Sequence, residues 1–290
     1  KTMKWQIGKI KVTRIQEVVF PEFSDVIPAV TKELVKEIKW LFPHFVTADG
    51  HLSLSIHSLI VETPTHKLVV DTCIGDGRDR MPMEGMHMLS TNYMRDMQAE
   101  GYQPEDMDFV LCTHLHVDHV GWNTRLVDGK WVPTFPNAKY IMDKKDLDFW
   151  GSIDADTDID FMQVQRQVFE DSLMPVINAG LAQPVDAPSI ICEGVRLIST
   201  PGHTPGHVSV VLESEGQTGL ITGDFIHHPI QFHDPALVSP FDVDNEMAIE
   251  TRRRIFGEYA DTPTLIIGTH FAGPTAGTLV TENGTYRLKV

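Results

Sequence analysis

Apolar and polar positions along the chain carry the periods of an α/β protein. Ile7 to Val19 and Leu52 to Val61 read as strands; in the second, Leu52, Leu54 and Ile56 alternate with Ser53, Ser55 and His57. Leu68-Val69-Val70, ending at Asp71, and Phe109 to Thr113 read as short buried strands. Between the first two strands, Thr31 to Leu41 sets Leu34, Ile38 and Leu41 at helical spacing, flanked by Pro28 and Pro43. This predicts a helical excursion from a sheet over about 28–45. Helices are predicted from Ser90 or Thr91 to Gly101, over 144–150 and over 159–173, the last two separated by a solvated acidic loop (Asp154, Asp156, Asp158, Asp160). The C-terminal half repeats the pattern, with strands at 195–200, 207–213 and 218–223, a helix over 245–259, and a strand at 264–268. Asn283-Gly284 between two apolar-alternating runs predicts a hairpin. No Pro/Ser-rich linker divides the chain, so residues 1–290 are expected to form a single domain.

Composition narrows the function. A length of 290 residues with 42% hydrophobic and 22% charged residues is that of a globular protein with a full core. The net charge of −16 repels phosphate backbones and anionic bilayers, which argues against nucleic acid and membrane partners. No run approaches the roughly 18 apolar residues that span a bilayer. Residues 1–11 lack an apolar leader, which predicts a cytoplasmic location, or a periplasmic or secreted one if a leader has been removed. The three cysteines, Cys73, Cys112 and Cys192, form no framework; Cys112 and Cys192 follow apolar runs and read as buried thiols. Histidine, at 14 residues, is the unusual count.

Four of the histidine-rich positions carry the chemistry. His114, His116, Asp118 and His119 fall directly after an apolar strand. In extended backbone, residues i and i+2 point the same way, so His114 and His116 converge on one point, and Asp118 and His119 turn toward a second. Imidazole suits Zn, Fe, Co or Mn, and a carboxylate adds charge. Three further segments present ligands at strand ends: Thr200-Pro201-Gly202-His203-Thr204-Pro205-Gly206-His207, Leu220-Ile221-Thr222-Gly223-Asp224 and Leu265-Ile266-Ile267-Gly268-Thr269-His270. Strand ends are where α/β folds build their sites. No GxSxG elbow is present, and Cys112 lies inside a strand, which removes serine and cysteine nucleophiles.

With these motifs in this order, the chain resembles the metallo-β-lactamase fold superfamily over residues 71–270. The resemblance implies an α/β fold of the four-layer αβ/βα sandwich type, with two divalent metal ions per chain. Zinc is the first expectation, with iron, cobalt or manganese as alternatives. It implies His114, His116 and His203 on one ion, Asp118, His119 and His270 on the other, Asp224 bridging both, and Asp71 in support of the ligand loop. Asp224 separates the chain from true β-lactamases, and His116 from flavodiiron proteins. The chain is most similar to N-acyl homoserine lactonases and methyl parathion hydrolase-like enzymes, although Phe225 and Ile226 stand where the lactonases carry an active-site tyrosine.

The implied function is a binuclear metal-dependent hydrolase attacking a lactone or carboxyl ester with metal-bridging hydroxide, oriented by Asp118 and Asp224. Organophosphate triester hydrolysis is the alternative within that class. A mononuclear iron sulfur dioxygenase is the alternative outside it. Trp122, Phe225 and Phe271, each close to a ligand in the chain, are expected to line an apolar pocket, with Met81 to Met88 and Trp40-Leu41-Phe42 as further walls. His227, His228 and His233 are expected on a solvent-facing loop. The expected partner is a small apolar ester, lactone or phosphotriester, and the excursion helix is a candidate arm for a homodimer.

Overall fold

The computed structural model describes residues 2–290. Among them, nine strands precede residue 186: β1 (Lys4–Ile7), β2 (Ile10–Phe20), β3 (Leu54–Glu62), β4 (Lys67–Val70), β5 (Phe109–Leu111), β6 (Thr124–Val127), β7 (Lys130–Pro133), β8 (Lys139–Asp143) and β9 (Ala182–Val185). Seven follow: β10 (Ser189–Cys192), β11 (Val195–Ser199), β12 (Val208–Ser214), β13 (Gln217–Ile221), β14 (Leu265–Ile267), β15 (Ala276–Glu282) and β16 (Thr285–Lys289). The α-helices are α1 (Lys32–Glu37), α2 (Tyr93–Ala99), α3 (Lys144–Trp150), α4 (Asp160–Val168), α5 (Met174–Asn178), α6 (Ile230–His233) and α7 (Asn245–Tyr259). None is long and apolar enough to cross a membrane. The chain gathers into two compact units, one of residues 2–5, 11–17 and 57–186, the other of residues 6–10, 18–56 and 187–290.

The first unit is built on a seven-stranded sheet in the order β1-β2-β3-β4-β5-β8-β9. Its β4, β5, β8 and β9 run parallel to one another, while β3 is antiparallel to β4. Buried runs such as Leu68-Val69-Val70 suit strands covered on both faces. Helix α3 begins where the Asp143 side chain accepts the Lys145 amide at 2.8 Å, an N-cap in β-region backbone. The single helix predicted over 159–173 is instead α4, a wide π-turn over Phe169–Leu173, and then α5. The wide turn carries Asp171, whose carboxylate meets the buried Arg78 guanidinium at 3.2 Å and that of Arg80 at 2.7 Å. Segment 124–133, unassigned from sequence, is the hairpin β6-β7, closed by Asp128 and Gly129 at φ 51° and 76°.

The second unit is a seven-stranded sheet in sequential order β10 to β16, antiparallel except for β13 beside β14. Helix α1 starts at Thr31, whose hydroxyl accepts the Leu34 amide at 3.1 Å. The excursion does not project as an arm. Val35, Ile38, Leu41 and Phe45 are buried in this unit's core with Phe225, Phe232, Phe256 and Phe271. The Asn283-Gly284 turn has both residues at positive φ, 52° and 78°, as a type I′ hairpin requires, with Glu282 opposite Thr285.

Candidate metal centre

In the first unit, β5 ends at Leu111 and the chain enters a loop that carries four candidate donors. Every turn of that loop is tied down. Thr113 donates its amide to Asp71 Oδ1 and its hydroxyl to Asp71 Oδ2, both at 2.8 Å. The Leu115 amide goes to Asp146 at 3.1 Å, and the Val117 amide goes to Gln165 at 2.9 Å. The His119 carbonyl accepts the Thr72 amide at 2.7 Å. Gly121 packs so tightly on the neighbouring backbone that a Cβ there would lie 1.9 Å from the Ile74 carbonyl.

The result is a compact, buried cluster. The His114 ring centroid lies 4.0 Å from that of His119 and 4.7 Å from that of His116. The ring of His116 is held edge-on by Trp150 at 4.9 Å and by Phe161 at 5.3 Å. Asp118, half-buried, brings a carboxylate oxygen to 3.5 Å from His119 Nε2. Asp71 fixes tautomers. His119 Nδ1 donates to Asp71 Oδ2 at 2.7 Å. The Thr113 hydroxyl, already donating to that same oxygen, accepts from His114 Nδ1 at 3.0 Å. Both imidazoles therefore carry their proton on Nδ1 and a lone pair on Nε2.

The second unit repeats this logic with other partners. His203 Nδ1 donates to Asp242 at 2.7 Å. Burial opposes ionisation of Asp242, but the bond from His203, the charges of His203 and His227, and the Ser239 amide together outweigh it and hold the carboxyl at about 2. His270 Nδ1 donates to the Ser55 carbonyl at 3.0 Å, and the Ser55 amide donates back to the His270 carbonyl at 3.0 Å. Asp224 follows Gly223, whose φ of 62° turns the chain out of β13. Its Oδ2 lies 3.1 Å from His270 Nε2, 3.6 Å from His203 Nε2 and 3.7 Å from His227 Nε2.

That arrangement tests whether a cation fits. With Nδ1 of His270 committed as donor, its Nε2 lone pair faces a carboxylate oxygen at 3.1 Å. Such a pair is repulsive unless a proton or a metal ion lies between them. The ligand atoms of His203, Asp224 and His227 all lie within 4.8 Å of one another, the span of one coordination sphere. Four imidazoles oriented through Nδ1 by a carboxylate, a hydroxyl or a carbonyl form the usual surroundings of metal-binding histidines.

Several expectations change. His227 and His228 are not on a solvent-facing loop; both are buried, and burial lowers each to about 4, so both are neutral. His228 is a packing residue that bonds the Phe45 carbonyl at 2.7 Å, while His233 is half-buried. Phe225 and Phe271 do not wall a pocket. Their rings are fully buried in the core, Phe225 against Phe256 at 6.3 Å and Phe271 against Phe45 at 6.3 Å. Trp122 stacks on Tyr93 at 5.3 Å and donates Nε1 to Glu17 at 2.7 Å. Met86 is buried, whereas Met81 and Met88 are exposed. Cys192 is half-buried, and among the described residues no disulfide joins Cys73, Cys112 or Cys192.

Sequence reasoning missed Asp242, Ser55 and Glu17. Glu17 accepts the Ile74 and Gly75 amides, each at 2.9 Å, besides the Trp122 indole. Burial pushes its carboxyl up to about 7 against those three bonds. None of the three has a local signal, since each lies at least 39 residues from the group it holds. His227 had one, an Asp-x-x-His spacing on a buried turn.

Comparison with known proteins agrees with this geometry. The sequence model described as the metallo-beta-lactamase superfamily matches residues 53–270. An N-acyl homoserine lactonase of Bacillus thuringiensis is 27% identical over 219 residues, 70% of this chain and 76% of its own. One from Bacillus cereus is 27% identical over 161 residues, of which the chain spans about half the length (54%). Among solved structures, the hydrolase AbOPH covers 99% of this chain and 96% of its own, with a TM-score of 0.80 at 24% identity. The dizinc quorum-quenching lactonase AidC, in complex with a product, covers the same shares with a TM-score of 0.75 at 19% identity. The α/β fold is therefore theirs, and with a sequence match that takes in every candidate ligand from His114 to His270, the chain is a member of the metallo-β-lactamase superfamily.

Proposed function

We propose that the donor sets of the two units serve one two-metal hydrolytic centre acting on a lactone or carboxyl ester. His114, His116 and His203 would hold one ion, Asp118, His119 and His270 the other, and Asp224 would be shared. The observation that carries this reading is the set of Nδ1 anchors, which leaves Nε2 of His114, His119, His203 and His270 as lone-pair donors. When bound, such ions polarise the acceptor oxygen and lower the pKa of coordinated water from about 15.7 toward about 7.

The chain's own residues supply the remainder. Asp118 and Asp224 would orient the attacking water, and one of the two carboxylates would take up its proton as the carbonyl carbon is attacked. Asp71 and Asp242 stabilise the positive charge that coordination draws onto His119 and His203. A lactone or ester substrate is supported by the relatives named N-acyl homoserine lactonase, and zinc by the dizinc lactonase of like fold.

The test is metal analysis joined to a hydrolysis screen of lactones, carboxyl esters and phosphotriesters. Two ions per chain with turnover of lactones or esters is the expected result. Turnover of phosphotriesters alone would move the substrate class. One iron per chain with thiol oxygenation and no hydrolysis would overturn the reading.

A further inference from the structure

The segment Thr200 to His207 ends in a histidine that the donor sets leave unused. His207 is fully buried, and its Nε2 lies 2.8 Å from the Asp224 amide nitrogen. An amide N–H can only donate, so Nε2 holds the lone pair and the proton is on Nδ1. That proton goes to the Thr200 hydroxyl at 2.8 Å. Thr200, having accepted there, donates to the Ser209 hydroxyl at 2.9 Å, and Ser209 donates to the Thr222 carbonyl at 2.7 Å.

The chain of bonds thus has one direction and closes on itself. It leaves the backbone at Asp224 and returns to it two residues earlier, at Thr222, enclosing the left-handed turn at Gly223. The same turn is braced from the other side. Thr269 accepts the Gly223 amide at 2.8 Å and donates its own amide to Thr222 Oγ1 at 3.2 Å. Thr269 is the residue before His270, whose Nε2 stands 3.1 Å from the Asp224 carboxylate.

We infer that His207 is a positioning residue. Through the Asp224 main-chain amide it sets where the Asp224 carboxylate stands, without touching a metal itself. The inference rests on the reading of Asp224 as the shared ligand. Both ring nitrogens of His207 have stated partners, so coordination would break the circuit at one end.

The experiment uses the full chain and three variants. His207→Phe keeps the ring volume and removes the acceptor, His207→Gln offers a carbonyl oxygen to the Asp224 amide, and Asp224→Ala removes the carboxylate. Each is checked for folding by circular dichroism, then titrated with zinc and, separately, with cobalt(II) followed by its visible absorption. His207→Phe is expected to weaken binding of one of the two ions by about 10–100-fold, the usual cost of losing a residue that supports a ligand. It should also alter the cobalt spectrum and lower kcat with little change in KM. His207→Gln should recover most of the loss.

If His207→Phe binds both ions with wild-type affinity and spectrum while Asp224→Ala does not, the inference is overturned and the reading of Asp224 stands. If Asp224→Ala keeps both ions and the same spectrum, the shared-ligand reading fails and the inference falls with it. A readout independent of variants is the long-range 1H–15N spectrum of the metal-free protein. It is expected to show His207 with its proton on Nδ1; a proton on Nε2 overturns the inference even where a variant does not fold.

Discussion

The two units hold their donors by different means. In the first, four donors lie within six residues, and a buried network of polar bonds from Asp71, Asp146 and Gln165 holds the loop. In the second, the donors are spread from His203 to His270 and are placed by the ends of strands whose positions the core sets. Phe45 shows the dependence. It packs on Phe271, next to His270, and its carbonyl takes the His228 ring. A donor set encoded locally needs polar struts, whereas one assembled from distant strands needs a well-packed interior.

The contrast can be broken where it is strongest. Phe45→Ala should cost about 3–5 kcal/mol of stability, measured by denaturant unfolding, because it empties a fully buried ring site. It should also weaken metal binding. A full loss of stability with metal affinity unchanged would show that the second set does not depend on the core.

A pH series probes the first unit. Glu17 is raised from 4.5 to about 7 on folding, so the folded state holds its proton more tightly than the unfolded one. The stability it confers is complete below about 4.5 and is lost as pH rises through about 7, at most about 3 kcal/mol at 1.36 kcal/mol per unit. Glu17→Gln should flatten the unfolding free energy across that window; an unchanged slope would refute the role.

Next come the two carboxylate anchors. Asp71→Ala removes the acceptor for three donors, two from Thr113 and one from His119, and should lower metal affinity by about 100-fold. Asp242→Ala removes the acceptor for one histidine and for the Ser239 amide and should cost about 10-fold, read by chelator competition. Equal effects would erase the distinction between a strut that serves two candidate ligands and one that serves one.

What was legible in the sequence follows the same division. His114 to His119 declared themselves because their spacing is local, and helix α7 was predicted over its observed span, Asn245–Tyr259. The aromatic residues were placed by nearness in sequence alone. Phe225 and Phe271 directly follow Asp224 and His270, yet both rings are buried in the core of the second unit. Nearness along the chain to a candidate ligand does not decide which way a side chain faces. The Asp128-Gly129 turn carried the same chemistry as Asn283-Gly284 but sat between strands exposed enough to lack an apolar alternation. Asp242 was invisible because only tertiary folding brings it to His203.

The close seat of Gly121 on the Ile74 carbonyl sets a limit on how this protein can be reshaped. In a saturation library across residues 112–123, Asp118 stands at the partly open edge but is a proposed ligand and must be kept. Position 121 would return a single amino acid. Any campaign to widen substrate range must leave both alone and work outside this loop.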